Sequence, residues 1–183
     1  MQSYKSLLGT SFALLALSVP AVLTAFQNEG PADSEEVSTL LAEARTQAYQ
    51  LSVDAATMES YTRSNLSWET HGAAVTQIRA HINAAGRTMA KLEDARKTAS
   101  SWQGTAIDRI RPLLKEIASN TQTVIDYLNK NTKRLFVAEY KDHIEANADV
   151  AAQLSAMIAD FVDYGNTKER LNRLSAKLEL GTN

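Results

Sequence analysis

The chain has 183 residues and a formal net charge of -2, with 3 prolines, 7 glycines and no cysteine. The absence of cysteine excludes disulfides, thiolate chemistry, cysteine-ligated zinc and covalent haem attachment. The small negative charge, and the lack of zinc-finger spacing or an aromatic strand motif, argue against nucleic acid as a partner. Few prolines and glycines leave little material for turns, so the composition favours long helices with short connections.

The first 25 residues have the composition of a secretory signal peptide. Lys5 is followed by an uncharged span that reaches to Glu29, and Leu7–Leu17 is its most apolar part. A proline and small residues follow, with suitable cleavage positions after Ala21 or Ala25. An uncleaved membrane anchor is the alternative, because the span is long enough to cross a bilayer. We predict an exported protein, periplasmic or secreted, with no stable membrane span after cleavage.

Four segments of similar length follow a linker at residues 26–33, and they form one predicted domain over residues 34–180. In each segment apolar residues recur at alternating steps of three and four, which is typical of helices packed at shallow angles, as in coiled coils. The predicted helices run over about 34–63, from Ser67, from Ser101, and from near Arg134 to Gly165-Asn166.

The predicted fold is all-α, because no segment shows the period-two alternation of a strand. Short connections force neighbouring helices to alternate in direction, so we expect an up-down-up-down four-helix bundle roughly 45 Å long. Gly165-Asn166 is expected to end the fourth helix by supplying a left-handed residue. A short fifth helix then carries Leu171, Leu174 and Leu178 on one side, and it folds back on the bundle or pairs with a second copy.

The third and fourth helices are each expected to bury one stripe that includes polar residues. The third stripe is Ala106, Ile110, Leu113, Ile117, Asn120, Val124 and Tyr127. The fourth is Phe136, Tyr140, His143, Asn147, Val150, Leu154, Met157, Phe161 and Tyr164.

Alternating helix directions place the polar stripe residues near the middle of the bundle. Asn120, His143 and Asn147 are expected there, with Asp54 and His81 at the flanks. Buried polar groups are costly when unpaired, so these should bond to one another or to water. A layer of this kind can set the register of the bundle. The alternative is a small metal or ligand site, with His143, His81 and Asp54 as donors.

Aromatic residues are expected to gather at the end of the bundle that holds the first and third loops. The candidates are Trp68, His71, Tyr127 and Tyr140, beside the cation Arg134. Large rings at such an end can act as a structural plug. Aromatic rings next to cations can also form a pocket for an anionic or aromatic ligand, or a surface for a partner.

No catalytic signature is present, since the chain lacks a glycine-rich phosphate loop, a nucleophile elbow and a His-Glu-x-x-His motif. We therefore predict neither an enzymatic activity nor a cofactor. The leading hypothesis is an exported helical bundle of the cell envelope that binds another macromolecule, either an envelope protein or a second copy. The alternative is a bundle that binds a small ligand or metal at the polar layer or the aromatic end.

Overall fold

The computed structural model describes residues 31–64, 66–131 and 137–179. Within these ranges the chain forms helices and no strand, which confirms the all-helical prediction. The helices are α1 (Glu35–Tyr61), α2 (Trp68–Asp94), α3 (Ser101–Lys130) and α4 (Ala138–Lys177), with a 3₁₀ turn (Ala95–Thr98) between α2 and α3. The predicted signal peptide at 1–25, like Arg134 and Phe136 of the predicted fourth helix, lies outside the described residues.

The four helices pack around one core. α1 packs against α2 and α4, and α3 packs against the same two helices, so that α1 and α3 lie across the core from each other. The residues predicted to face the core are all buried in α1 and α2, namely Val37, Leu41, Ala44, Ala48, Leu51, Ala55 and Met58 of α1 and His71, Val75, Ile78, Ile82, Ala85, Met89 and Leu92 of α2. Burial of these apolar stripes supplies the main stabilisation of such a bundle, at about 25 cal/mol per Å² of apolar surface. The described part of the chain contains no helix long and apolar enough to cross a membrane.

Serine caps begin three of the helices. The Ser34 side chain accepts a hydrogen bond from the Val37 amide, and the Ser67 side chain accepts one from the Thr70 amide, as expected at N-caps. The third helix has Ser100 rather than the predicted Ser101 at its N-cap, with Gln103 completing a capping box. This shift by one residue brings Gln103 to the inside of the bundle.

The stripe predicted for α3 is correct at only some of its positions. Ala106, Ile110, Ile117 and Val124 are buried, but Leu113, Asn120 and Tyr127 are half-buried. The residue after each of these three is buried instead, namely Leu114, Thr121 and Leu128. Two possible stripes of α3 share the four correctly predicted positions. The stripe that is buried in the structure removes more apolar surface from water than the predicted one, and it brings fewer polar groups into the core that need hydrogen bonds.

The predicted end of the fourth helix at Gly165-Asn166 and the separate fifth helix are wrong. α4 is one helix of 40 residues, about 60 Å long. Glycine costs only about 1 kcal/mol inside a helix. A Cβ at Gly165 would lie 2.8 Å from Cη2 of Trp102, so this glycine serves a close approach between helices instead of a turn.

The inner stripe of α4 also differs from the prediction at two of its middle positions. Tyr140 and Asn147 are buried as predicted, but His143 and Met157 are half-buried, and the neighbouring Ile144 and Ile158 are buried instead. Towards the C-terminus the stripe reaches the surface, where Phe161 is half-buried and Tyr164 is exposed.

We predict that Ile117→Ala lowers the free energy of unfolding by about 2–5 kcal/mol, because Ile117 is fully buried and its truncation leaves a cavity. Leu113→Ala should cost clearly less, because Leu113 is half-buried. Chemical denaturation of both variants measures the difference. Equal losses would contradict the rotated α3 stripe.

Candidate functional site

The predicted mid-bundle polar layer is replaced by two separate contacts. In the first, the Asn147 Nδ2 of α4 donates to the Thr121 Oγ1 of α3 at 2.8 Å, and both residues are buried. Thr121 takes the place predicted for Asn120. The Asn147 Oδ1 is buried with no hydrogen-bond partner in the described chain. One amide–hydroxyl bond between α3 and α4 can set their register, as an isolated buried asparagine does in coiled coils.

The second contact joins α1 to α2. The His81 Nδ1 lies 2.6 Å from the Asp54 Oδ2, and the Gln77 Nε2 lies 3.4 Å from the His81 Nε2. The two atoms are close, but the angles of the contact are not those of a hydrogen bond. The two side chains are 25% and 23% exposed, so the pair lies at the rim of the bundle. His143 does not join them, and the described ranges hold no group of three histidine or carboxylate side chains that could bind a metal.

The aromatic end is assembled largely as predicted, from one residue near an end of each helix. The His71 Nδ1 and the Tyr140 Oη are 2.8 Å apart in a buried hydrogen bond. Tyr61 meets the His71 ring edge-on at 5.8 Å between centroids, and Tyr127 stacks on Tyr140 at 5.0 Å. Trp68 stands apart from this cluster and is 42% exposed.

The aromatic cluster is a closed plug of uncharged groups. Burial lowers the pKa of His71 below its ordinary value of 6.5, so the imidazole is neutral at physiological pH. Burial, together with the neighbouring Tyr127, raises the pKa of Tyr140. The His71 Nε2 is buried and has no hydrogen-bond partner among the described residues. These rings therefore stabilise the end of the bundle and offer no open pocket at His71.

We predict that the protein loses stability as the pH falls below about 6.5, in part through His71. The depressed pKa means that the unfolded chain takes up a proton at this residue before the folded chain does. The free energy of unfolding therefore falls as the pH falls through this range. Urea denaturation across a pH series should show a shallower decline for His71→Gln. Parallel pH profiles for wild type and variant would contradict the role of His71.

At the opposite end, Gln103 of α3 connects the first turns of two helices. Its Oε1 accepts hydrogen bonds from the backbone amides of Ser34 and Ser100, both at 2.9 Å. Its Nε2 donates to the Ser34 carbonyl oxygen at 2.8 Å and to the Ser38 Oγ at 3.0 Å. Gln103 is completely buried and its amide is fully paired. This contact was not predictable from the sequence, because a glutamine in a first turn is usually only part of a capping box.

Asp33 adds a second polar contact at the same end. It accepts from the Trp102 Nε1 at 2.7 Å and from the Lys168 Nζ at 2.9 Å. Burial by itself raises the pKa of Asp33, but the hydrogen bonds with Ser100, Lys168 and Trp102 lower it by more. The net pKa lies below the ordinary value of an aspartate, so the carboxylate stays ionised. Asp33 therefore joins the segment before α1 to both α3 and α4.

We predict that Gln103→Met destabilises the protein by at least about 2 kcal/mol, because it leaves buried backbone amides without partners at about 1–3 kcal/mol each. The matched control is Gln122→Met on the exposed face of α3, where Gln122 bonds only to Asp126. The control should change the free energy of unfolding by less than about 0.5 kcal/mol. Similar losses for both variants in denaturant titrations would contradict this role of Gln103.

An open surface follows the seam between α2 and α3. One groove of about 490 Å³ begins at Trp68 and ends near Arg79, and a second of about 630 Å³ continues from Ile82 to Ala90. Together they form the α2–α3 groove, whose α2 wall is lined by Trp68, Glu69, Gly72, Val75, Thr76, Arg79, Ile82, Asn83, Gly86, Arg87, Met89 and Ala90. These positions recur at helical spacing, so they share one face of α2.

Two glycines and several cations give the α2–α3 groove its character. A Cβ added at Gly72 or Gly86 would meet no atom within 4 Å, so both positions leave open space. They are fourteen residues apart, close to four helical turns, and they therefore lie on the same face. The cations along the groove are Arg79, Arg87, Arg111 and Lys115, against the single carboxylate of Glu69. Arg111 is paired with Glu93.

Comparison with known proteins provides no family for this chain. No protein-family model matches it, and neither the curated proteins nor the solved structures include a significant match. The function is therefore argued from the surfaces and contacts of the chain itself.

Proposed function

We propose that the protein is an exported, non-enzymatic helical bundle of the cell envelope that binds a helix of another protein in its α2–α3 groove. The observation that carries the proposal is the pair of grooves, which lie one after the other on one face of α2 over about six turns from Trp68 to Ala90. A long concave seam with an apolar floor is the shape that receives an amphipathic helix. The non-enzymatic part rests on the missing catalytic motifs, and export rests on the composition of residues 1–25.

The chemistry of the groove specifies the partner. Ile82, Met89 and Leu114 form an apolar floor in its second half, and Ile125 and Leu128 do so in its first half. Complementary charge on a partner would come from carboxylates placed on either side of its apolar face. We therefore infer that the partner is an acidic amphipathic helix.

A second copy of this chain is a poor occupant of the groove. The end of α4 exposes leucines, but it also carries Arg170, Arg173 and Lys177. These would face Arg79 and Arg87 of the groove, and like charges brought together oppose binding.

The proposal includes the up-down-up-down order of the helices. Two sets of contacts support it. Tyr61 at the end of α1 and Tyr127 near the end of α3 gather with His71 and Tyr140, which lie near the starts of α2 and α4. At the other end, Gln103 in the first turn of α3 bonds to Ser34 at the start of α1.

Site-specific photo-crosslinking in living cells tests the proposal. A photoreactive residue at Ala90, which is exposed in the groove, should form a discrete adduct in the envelope fraction. The same residue at Val53, exposed on α1, is the control and should form none. The recovered protein should begin at Val22 or Phe26, and the crosslinked peptide should combine carboxylates and apolar residues at helical spacing. Adducts at both positions, or none at Ala90, would refute the groove as a binding site.

We predict that Gly86→Leu separates stability from binding. Leucine is more favourable than glycine in a helix by about 0.8–1 kcal/mol, so the melting temperature should not fall. Its side chain enters the open space at Gly86 and should abolish the Ala90 adduct. Ala80→Leu, on an exposed part of α2 outside the groove, is the matched control and should keep the adduct. An adduct that persists in Gly86→Leu would show that the partner does not enter the groove.

A further inference from the structure

The last turns of α4 extend past the rest of the bundle. The Lys168 Nζ contacts the Asp33 Oδ1 at 2.9 Å, just before the start of α1. Nine more helical residues follow Lys168 and reach Lys177, a distance of about 14 Å. Between residues 169 and 179, all side chains except that of Ser175 are exposed. We refer to residues 169–179 as the α4 tail.

The α4 tail presents an apolar stripe to its surroundings. Leu171, Leu174 and Leu178 are 62%, 45% and 60% exposed. Their spacing of three and four residues places them on one face of the helix. Single exposed leucines are common on protein surfaces, but a contiguous apolar stripe usually marks an interaction surface.

Basic residues border this stripe. The α4 tail contains three cations, Arg170, Arg173 and Lys177, and two carboxylates, for a net charge of +1, whereas the whole chain carries -2 and the remainder therefore -3. Glu169 is already paired with Arg173 at 2.9 Å. Arg170 and Lys177 lie seven residues apart along one edge of the stripe, and Lys168 and Ser175 lie along the other. The tail is thus a basic amphipathic helix on an otherwise acidic protein.

A second copy of the α4 tail is a poor binding partner for the first, because its charge is not complementary and the contact would bury too little area. Neither edge of the stripe carries a carboxylate, so two tails side by side would bring cations together without ion pairs. Three leucines on each copy also bury far less than the roughly 1,200 Å² of a stable protein interface. A binding partner of the α4 tail must instead present negative charge directly beside an apolar layer.

We propose that the α4 tail binds the surface of an anionic lipid bilayer. The leucine stripe would lie at the boundary of the acyl chains, with Arg170 and Lys177 among the headgroups, which is the arrangement of interfacial amphipathic helices. Each cation near an anionic surface strengthens binding about fivefold. The α4 tail is separate from the α2–α3 groove and does not depend on it.

An environment-sensitive dye on the mature chain, from which residues 1–25 are absent, tests the proposal. The chain has no cysteine, so Leu178→Cys provides a single attachment point in the stripe. Vesicles that contain phosphatidylglycerol should shift its emission to the blue, and vesicles of phosphatidylcholine alone should not. A dye at Val53→Cys on α1 is the control for binding through other parts of the chain and should not respond.

Two further variants of the labelled protein test the stripe and its cations. Arg170→Gln with Lys177→Gln should raise the lipid concentration at half-maximal shift about 25-fold, at fivefold for each cation. Leu171→Ser with Leu174→Ser should raise it by at least about tenfold, because exposed leucines contribute only through insertion.

Three results would overturn the proposal. The first is no shift at position 178 with anionic vesicles. The second is an equal shift with phosphatidylcholine, which would remove the role of charge. The third is a shift that grows with protein concentration in the absence of lipid, which would assign the stripe to a second copy.

Discussion

The buried amide of Gln103 is the contact on which the register of the bundle depends. A primary amide has two acceptor sites and two donors, and here all four hydrogen bonds are made within the first turns of α1 and α3. Each of these bonds has a fixed direction, so sliding either helix by one residue would leave buried amides unpaired. Because α1 and α3 lie across the core from each other, aligning them also aligns the two helices between them.

The two ends of the bundle are closed by different chemistry. One end is held by the uncharged rings around His71 and Tyr140, and the other by Gln103 together with the ionised Asp33. The aromatic end is consequently unsuited to bind a ligand, because its polar groups are enclosed. The other end opens on a cavity of about 570 Å³, which is lined in part by Asp33, Trp102 and Lys168. The surfaces proposed here for binding are the α2–α3 groove on the side and the α4 tail beyond the end. The groove lacks side chains at its glycines, and the tail has no neighbouring helix among the described residues.

Particular residues show how far a heptad pattern can guide a prediction. The stripes of α1 and α2 were predictable because no alternative face of either helix is equally apolar. In α3 the same periodicity fits two faces of the helix. Asn120 would be buried if one face were turned inward and Thr121 if the other were, and the structure buries Thr121. His81 and Asp54 were predicted near each other and are in contact, but at the rim, because helix rotation decides whether a flanking residue faces inward. No local signal indicated that Gln103 bonds to α1, because its partners there, Ser34 and Ser38, lie 65 to 69 residues away in the chain.

Three features could be determined from the sequence alone. They are the all-helical class, the starts of the helices at Ser34 and Ser67, and the gathering of aromatic residues at one end. These features depend on periodicity and capping, which are local properties of the chain. Only the tertiary structure decided that Gly165 lies inside a helix, that α4 runs on past the bundle, and that the α2–α3 seam stays open. The physical reason is that each of these depends on contact between residues far apart in sequence. Gly165, for example, lies beside Trp102 of α3, which is more than 60 residues away in the chain.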